Sequence, residues 1–154
     1  MRPKLLKIRK AVNVPFSFTK QSASVAIPHI WISIENPGDE ATKLRPNDAR
    51  KNFLRLQVAD TDDKTAPGAI TENQAEDLLR FVVRHAHPNL TVIINCTAGV
   101  SRSAAVAAAL TNLSGMDDTP FFKNYSPNSL IYRTMWNVGG DLLGGKPEKE
   151  ITNG

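Results

Sequence analysis

One short stretch, residues 95–103, concentrates the side chains that could do chemistry. It reads Asn-Cys-Thr-Ala-Gly-Val-Ser-Arg-Ser and contains Cys96, the single cysteine of the 154-residue chain. An apolar, β-branched run at 90–94 precedes it and an alanine-rich run at 104–110 follows it. This order predicts a buried parallel strand, a tight loop and a helix. A thiol at a strand end and the guanidinium of Arg102 would then flank one loop.

This arrangement favours phosphate binding and an activated thiol. The N–H groups of a loop that leads into a helix point towards one place, where the helix dipole adds positive potential. Arg102 can grip two phosphate oxygens at once. The same potential lowers a thiol pKa to roughly 3.5–7.5, so Cys96 is predicted to be a nucleophile, with Ser103 donating a hydrogen bond to the departing sulfur. The predicted phosphate-binding residues are Thr97, Ala98, Gly99, Val100, Ser101 and Arg102.

The stretch from Cys96 to Ser103 resembles the Cys-x5-Arg-Ser/Thr signature of the cysteine-dependent protein tyrosine phosphatases. Its form, Cys-x-x-Gly-x-Ser-Arg-Ser-Ala, is similar to that of the dual-specificity branch in small bacterial and viral members. The resemblance implies hydrolysis of phosphotyrosine, and of phosphoserine and phosphothreonine in the dual-specificity case, through a phosphocysteine intermediate. The family has His before the cysteine, where this chain has Asn95, whose amide can still hydrogen-bond to backbone.

The resemblance also implies an aspartic acid, upstream on a mobile loop, that protonates the leaving oxygen. Asp60, Asp62 and Asp63 are the candidates, because they follow a strand predicted at 53–58. We favour Asp60, since Leu-Gln-Val-Ala-Asp is similar to the family's pattern of a strand followed by Asp, with Asp62 second and Asp63 third. The Pro-Gly pair at 67–68 suits a loop that closes over substrate.

The rest of the chain predicts one α/β domain over residues 1–154. Strands are expected near 30–34, 53–58 and 90–94. A first helix is expected from a Thr-x-x-Gln capping box at Thr71 to His85, and a second from the end of the Cys96 loop to Leu113. A third helix is expected to begin at Ser126-Pro127. This order favours a central, mostly parallel sheet flanked by helices, and the resemblance implies the protein tyrosine phosphatase fold. Phe16 and Phe18 alternate with polar residues, as in a short extended piece. Residues 38–52 predict a loop, Phe121 and Phe122 predict core contacts, and residues 138–154 predict a loose tail.

Composition narrows the classes of function. The net charge of +4 suits anionic substrates such as phosphorylated proteins, but no nucleic-acid-binding motif and no apolar run of membrane-spanning length is present. A single cysteine suits a reducing, cytoplasmic environment. One cysteine and three scattered histidines predict no metal site and no cofactor. His29 is expected to be structural.

Three other functions stay open at this point. Asn95 makes a non-catalytic phosphate- or phosphopeptide-binding module conceivable. The same loop could act on a non-protein phosphate ester, such as a phosphoinositide or an RNA 5′ end. A sulfurtransferase is the third possibility, because rhodanese-like loops also present a cysteine at a strand end.

Overall fold

A four-stranded parallel sheet forms the centre of the fold. The computed structural model describes residues 5–144. The strands are β1 (Lys10–Pro15), β2 (His29–Glu35), β3 (Arg50–Gln57) and β4 (Thr91–Cys96), in the order β1-β4-β2-β3. Each neighbouring pair is parallel. The predicted α/β class with a mostly parallel sheet is therefore confirmed.

The described residues also form four α-helices: α1 (Glu72–His85), α2 (Arg102–Leu113), α3 (Thr119–Asn124) and α4 (Ser129–Leu142). Helix α2 packs on β1 and β4, α1 packs on β3, and α4 contacts both α1 and α2. Every residue of α2 except Asn112 is buried, because its alanines allow close approach to the neighbouring elements. No helix in residues 5–144 is long and apolar enough to cross a membrane.

Several local predictions hold. Thr71 and Gln74 form the reciprocal capping box that starts α1. Gly115 follows α2 with a φ of +78°, the left-handed conformation that glycine accepts most easily. Strands β2 and β4 are buried along their whole length, as their continuous apolar runs predict.

Three predictions of local structure are wrong. Phe16–Ser24 is a 3-10 helix and not an extended piece. Strand β3 begins at Arg50, inside the predicted loop. Helix α4 is capped by Asn128, not Ser126, and it continues to Leu142, because Val138 and Leu142 extend its apolar stripe onto the core.

The predicted tail from 138 is therefore helical to Leu142, and residues 145–154 lie outside the described part. Of the two aromatic residues expected in the core, Phe121 packs against it. Phe122 is half-exposed and contacts Tyr132 edge-on.

His29 is a buried histidine at the amino end of β2, opposite the edge at which Cys96 lies. Its Nδ1 is 2.8 Å from the carbonyl of Ile27, which can only accept, so Nδ1 carries the proton. Its Nε2 is buried without a partner among the described residues, as is Oγ1 of its register neighbour Thr91. Burial lowers the pKa of His29 below 6.5, against a smaller opposing effect of the Ile27 bond, and the charges of Arg50 and Lys51 lower it further.

We expect His29 to make the fold less stable as the solution becomes acidic. Below about pH 6.5 the His29 imidazole binds a proton in the unfolded chain but stays neutral in the folded chain. The free energy of unfolding therefore falls by up to about 1.4 kcal/mol per pH unit for this group. His29→Asn keeps a donor for the Ile27 carbonyl and removes the titration. Urea unfolding between about pH 7.5 and 5.5 should therefore show a shallower pH dependence in His29→Asn. The exposed His87→Asn serves as the control, and an equal slope in His29→Asn and wild type would contradict the prediction.

Candidate active site

The loop between β4 and α2 is held from outside by its carbonyl groups. Four of them accept hydrogen bonds from two other segments of the chain, residues 13–16 and 126–128. These bonds run from Phe16 N to Thr97 O (3.1 Å), from Asn13 Nδ2 to Gly99 O (2.7 Å), from Ser126 N to Val100 O (3.0 Å) and from Asn128 N to Ser101 O (3.1 Å). With its carbonyls turned outward, the loop presents N–H groups on its inner side, and Gly99 N–H lies 3.3 Å from Cys96 Sγ. Such a concave set of N–H groups is suited to an anion.

Glycine is required at position 99 for two separate reasons. Its φ is +77°, which L-residues with side chains rarely adopt. A Cβ there would lie 2.6 Å from Pro15 N and 2.7 Å from the carbonyl carbon of Val14, both backbone atoms of β1. The loop can pass this close to β1 only because position 99 has no side chain.

Cys96 ends β4 as a buried thiol. Its Sγ lies 3.1 Å from Ser103 Oγ, in addition to the Gly99 contact. Burial alone would raise the pKa of this thiol. Hydrogen bonds from the hydroxyl and N–H of Ser103 and from Gly99 N–H, with the charge of Arg102, outweigh burial, and the pKa lies below the ordinary value. The structure thus brings Cys96, Gly99, Arg102 and Ser103 together, as the sequence predicts.

Arg102 is a buried cation, only 5% exposed. Its Nη1 donates to Asn36 Oδ1 (2.6 Å) and to the carbonyl of Val58 (3.0 Å), and its Nη2 donates to Thr97 Oγ1 (3.1 Å). Its Nε is buried and has no partner within residues 5–144. Nε and Nη2 form one edge of the guanidinium, the edge that can bind two oxygens of one anion, and its Nε–H has no partner among the described residues.

Asn95 binds a different partner from the loop backbone that the sequence suggested for it. The side chain is buried, and its Oδ1 accepts a 2.9 Å hydrogen bond from the indole Nε1 of Trp31 on β2. It therefore braces the end of β4 against β2. The bonds that hold the loop come instead from Asn13, Phe16, Ser126 and Asn128.

The three acidic candidates differ clearly in their surroundings. Asp60 Oδ1 accepts from Ser101 Oγ (2.8 Å) and from Asn128 Nδ2 (2.9 Å), so this carboxyl group contacts the loop. Among the described residues, the Asp63 carboxyl group accepts hydrogen bonds only from Thr65, two positions further along the chain, and those bonds lower its pKa. Asp62 is exposed and shares with Asp60 a cavity of about 460 Å³ beside Ser101. Of the three, the geometry therefore favours Asp60 as the candidate proton donor.

A second cavity, of about 370 Å³, opens beside Cys96 and Thr97. One of its sides carries the half-exposed ring of Phe16. Three carboxylates from β2 and the segment after it also line it: Glu35, Asp39 and Glu40. Arg55 neutralises Glu35 through a 3.0 Å ion pair, whereas Asp39 and Glu40 form no ion pair within the described residues.

Sequence analysis missed the residues that build the site from a distance: Asn13, Phe16, Asn36 and Asn128. Asn36 and Phe16 directly follow β2 and β1, and residues that follow parallel strands meet at one sheet edge. That rule could have identified both. Of the predicted loop residues, Thr97, Ala98 and Val100 are exposed at the loop surface. No cluster of three or more potential metal ligands occurs among residues 5–144.

Comparison with solved structures places this fold in a known group. No family model matches the sequence, and no curated protein does. DUSP15 superposes with a TM-score of 0.57 at 17% identity, over 88% of this chain and 86% of that one. The human tyrosine phosphatase-like serine/threonine/tyrosine-interacting protein superposes with a TM-score of 0.55 at 20% identity, over 93% of this chain and 100% of that one. PTPMT1 superposes with a TM-score of 0.53 at 15% identity, over 88% of this chain and 91% of that one.

The chain therefore has the fold of the dual-specificity phosphatases, within the wider fold of protein tyrosine phosphatases. The resemblance carried by residues 96–103 is confirmed at the level of the fold. At these identities the likeness concerns the fold alone.

Ser103 should contribute directly to the lowered pKa of the Cys96 thiol. Removing its hydroxyl takes away a hydrogen bond to the thiolate, so Ser103→Ala should raise the thiol pKa. The pH at which iodoacetamide alkylation reaches half its maximal rate measures this pKa. Ser101→Ala is the matched control, because that hydroxyl bonds Asp60 and not sulfur. Equal midpoints in Ser103→Ala and wild type would contradict this role.

Proposed function

We propose that this protein is a cysteine-dependent protein phosphatase that hydrolyses phosphotyrosine, and also phosphoserine and phosphothreonine, through a phosphocysteine intermediate. One observation carries the proposal. The buried guanidinium of Arg102 has an Nε–H without a partner among the described residues, at the end of the same loop as the Cys96 thiol, whose pKa is lowered. A phosphate held by the Nε–Nη2 edge and by the loop N–H groups would meet the sulfur from one side.

The first chemical step transfers the phosphoryl group to sulfur. The Cys96 thiolate attacks phosphorus, the S–P bond forms, and the P–O bond to the leaving group breaks. Asp60 gives its proton to the departing oxygen, so a neutral alcohol or phenol leaves. Arg102 and the loop N–H groups stabilise the negative charge on the phosphoryl oxygens throughout this step.

The second step returns the enzyme to its starting state. Asp60, now a carboxylate, takes a proton from a water molecule that attacks phosphorus. The S–P bond breaks, and inorganic phosphate and the Cys96 thiolate result. Ser103 Oγ and Gly99 N–H, at 3.1 Å and 3.3 Å from the sulfur, stabilise the thiolate as it leaves. A catalytic thiolate of this kind suits a reducing compartment such as the cytoplasm.

The cavity beside Cys96 favours a protein substrate over a polyanionic ester. The ring of Phe16 offers an apolar surface to the aryl group of a phosphotyrosine. Asp39 and Glu40 would repel further phosphates on a substrate. A non-protein ester is the second candidate, since PTPMT1, which shares the fold, has been solved in complex with PI(5)P.

The direct test is hydrolysis of an aryl phosphate by the wild type beside Cys96→Ser and Arg102→Lys. Cys96→Ser removes the thiolate and should abolish turnover. Arg102→Lys keeps the positive charge but cannot bind two phosphate oxygens in a bidentate fashion, and it should reduce kcat/KM by about 100-fold or more. Thermal unfolding of each variant checks that the fold is intact.

Three results would contradict the phosphatase proposal. Turnover that survives in Cys96→Ser would place the chemistry elsewhere. A folded wild type that binds phosphate or a phosphopeptide without turnover would make the chain a binding module. Sulfur transfer from thiosulfate to cyanide by the wild type would favour a sulfurtransferase.

Asp39 and Glu40 should select substrates with a positive charge near the phosphate. Each exposed carboxylate–cation pair contributes about 0.2–1 kcal/mol, so a phosphotyrosine peptide flanked by lysine should be hydrolysed about 2–10-fold faster, in kcat/KM, than one flanked by glutamate. High salt should reduce the preference. The double variant Asp39→Asn/Glu40→Gln should lose it, and Asp48→Asn, which does not line the cavity, should keep it. Retention of the preference in the double variant would show that it arises elsewhere.

A further inference from the structure

Asn128 joins three parts of the candidate site. Its Oδ1 accepts the N–H of Ile131 (2.9 Å) and so caps α4. Its Nδ2 donates to Asp60 Oδ1 (2.9 Å) and to the carbonyl of Thr61 (3.1 Å). Its own N–H donates to the carbonyl of Ser101 (3.1 Å). The side chain is buried, so one residue connects a helix end, the acidic segment and the phosphate-binding loop.

The two donors on Asp60 determine which of its oxygens can carry a proton. Ser101 Oγ and Asn128 Nδ2 both donate to Oδ1, whereas no described residue donates to Oδ2. A proton on Oδ1 would compete with both donors for the lone pairs of that oxygen. The carboxyl group is thus oriented with Oδ2 as the oxygen that gives and takes protons.

We propose that Asn128 is a positioning residue that holds Asp60 for proton transfer to the leaving group. This inference rests on the proposed function. The carboxyl group must lie within hydrogen-bond reach of the leaving oxygen, and a displacement of about 1 Å can cost about 100-fold in rate. Asn128 fixes that distance, because it ties the acidic segment to the same loop that would hold the phosphate.

Asn128→Ser separates this role from helix capping. Serine caps helices about as well as asparagine, so α4 should stay capped. The short serine side chain cannot, however, donate hydrogen bonds to both Asp60 and the carbonyl of Thr61, as Asn128 does. Protonation of the leaving group matters for a poor leaving group and little for a good one. The measurement is therefore kcat/KM for phenyl phosphate and for dinitrophenyl phosphate, in wild type, Asn128→Ser and Asp60→Asn. Asn89→Ser, at an exposed position two residues before β4, is the matched control.

We expect Asn128→Ser to lower kcat/KM by about 10–100-fold for phenyl phosphate and by less than about threefold for dinitrophenyl phosphate. In the Asp60→Asn background the same substitution should cause no further selective loss, since the acid it positions is already absent. Asn89→Ser should behave as wild type. If Asn128→Ser does not fold, Ser101→Ala removes the other donor to Oδ1 and should give the same selective loss.

Equal losses on both substrates would overturn the inference, because a merely structural defect does not depend on the leaving group. A selective loss that persists in full in the Asp60→Asn background would overturn it as well. A folded wild type with no Cys96-dependent turnover would refute the proposed function, and the positioning role with it. The first two outcomes leave the phosphatase proposal intact, so the two failures are distinguishable.

Discussion

A buried cation without a carboxylate partner is the constraint on which the candidate site depends. Arg102 is only 5% exposed, yet its partners are an amide, a carbonyl and a hydroxyl, all neutral. The two ion pairs within residues 5–144 involve Arg55 and Arg80. Burying a charge without a counter-charge costs several kcal/mol unless something compensates it. A thiolate at Cys96 and the phosphate of the proposed substrate would supply that compensation.

The parallel sheet supplies the surroundings that this cation needs. The carboxyl ends of the strands meet at one edge, which brings Phe16 after β1, Asn36 after β2, Val58 after β3 and Cys96 at the end of β4 around one loop. The loop carbonyls are bonded from outside, and Gly99 lets the loop approach the β1 backbone. The N–H groups and the guanidinium edge are thereby arranged before any substrate arrives, which is the arrangement that stabilises a transition state most effectively.

The local parts of this site could be predicted from sequence, and the distant parts could not. Cys96, Gly99, Arg102 and Ser103 lie within eight consecutive residues, so their strand–loop–helix context is visible in the pattern. Asn13 and Gly99 are 86 positions apart, and Asn128 and Asp60 are 68 apart, so only the topology brings them together. The cap of α4 was predicted at Ser126 because serine before proline is typical of a helix start. Asn128 caps it instead, and the same side chain also binds Asp60 and Thr61, a contact that no local pattern reveals.

The phosphocysteine is the species that separates cysteine-based phosphatase chemistry from a binding module and from a sulfurtransferase, and its detection is the most direct test. Wild-type protein would be mixed with an aryl phosphate, quenched in acid within the first turnover, digested and analysed by mass spectrometry. The account predicts one phosphoryl group on Cys96. With dinitrophenyl phosphate, whose leaving group needs little protonation, it accumulates further in Asp60→Asn because that variant lacks the base for the second step. A phosphoryl group on another residue, or rapid turnover with no covalent intermediate under any quench condition, would contradict it.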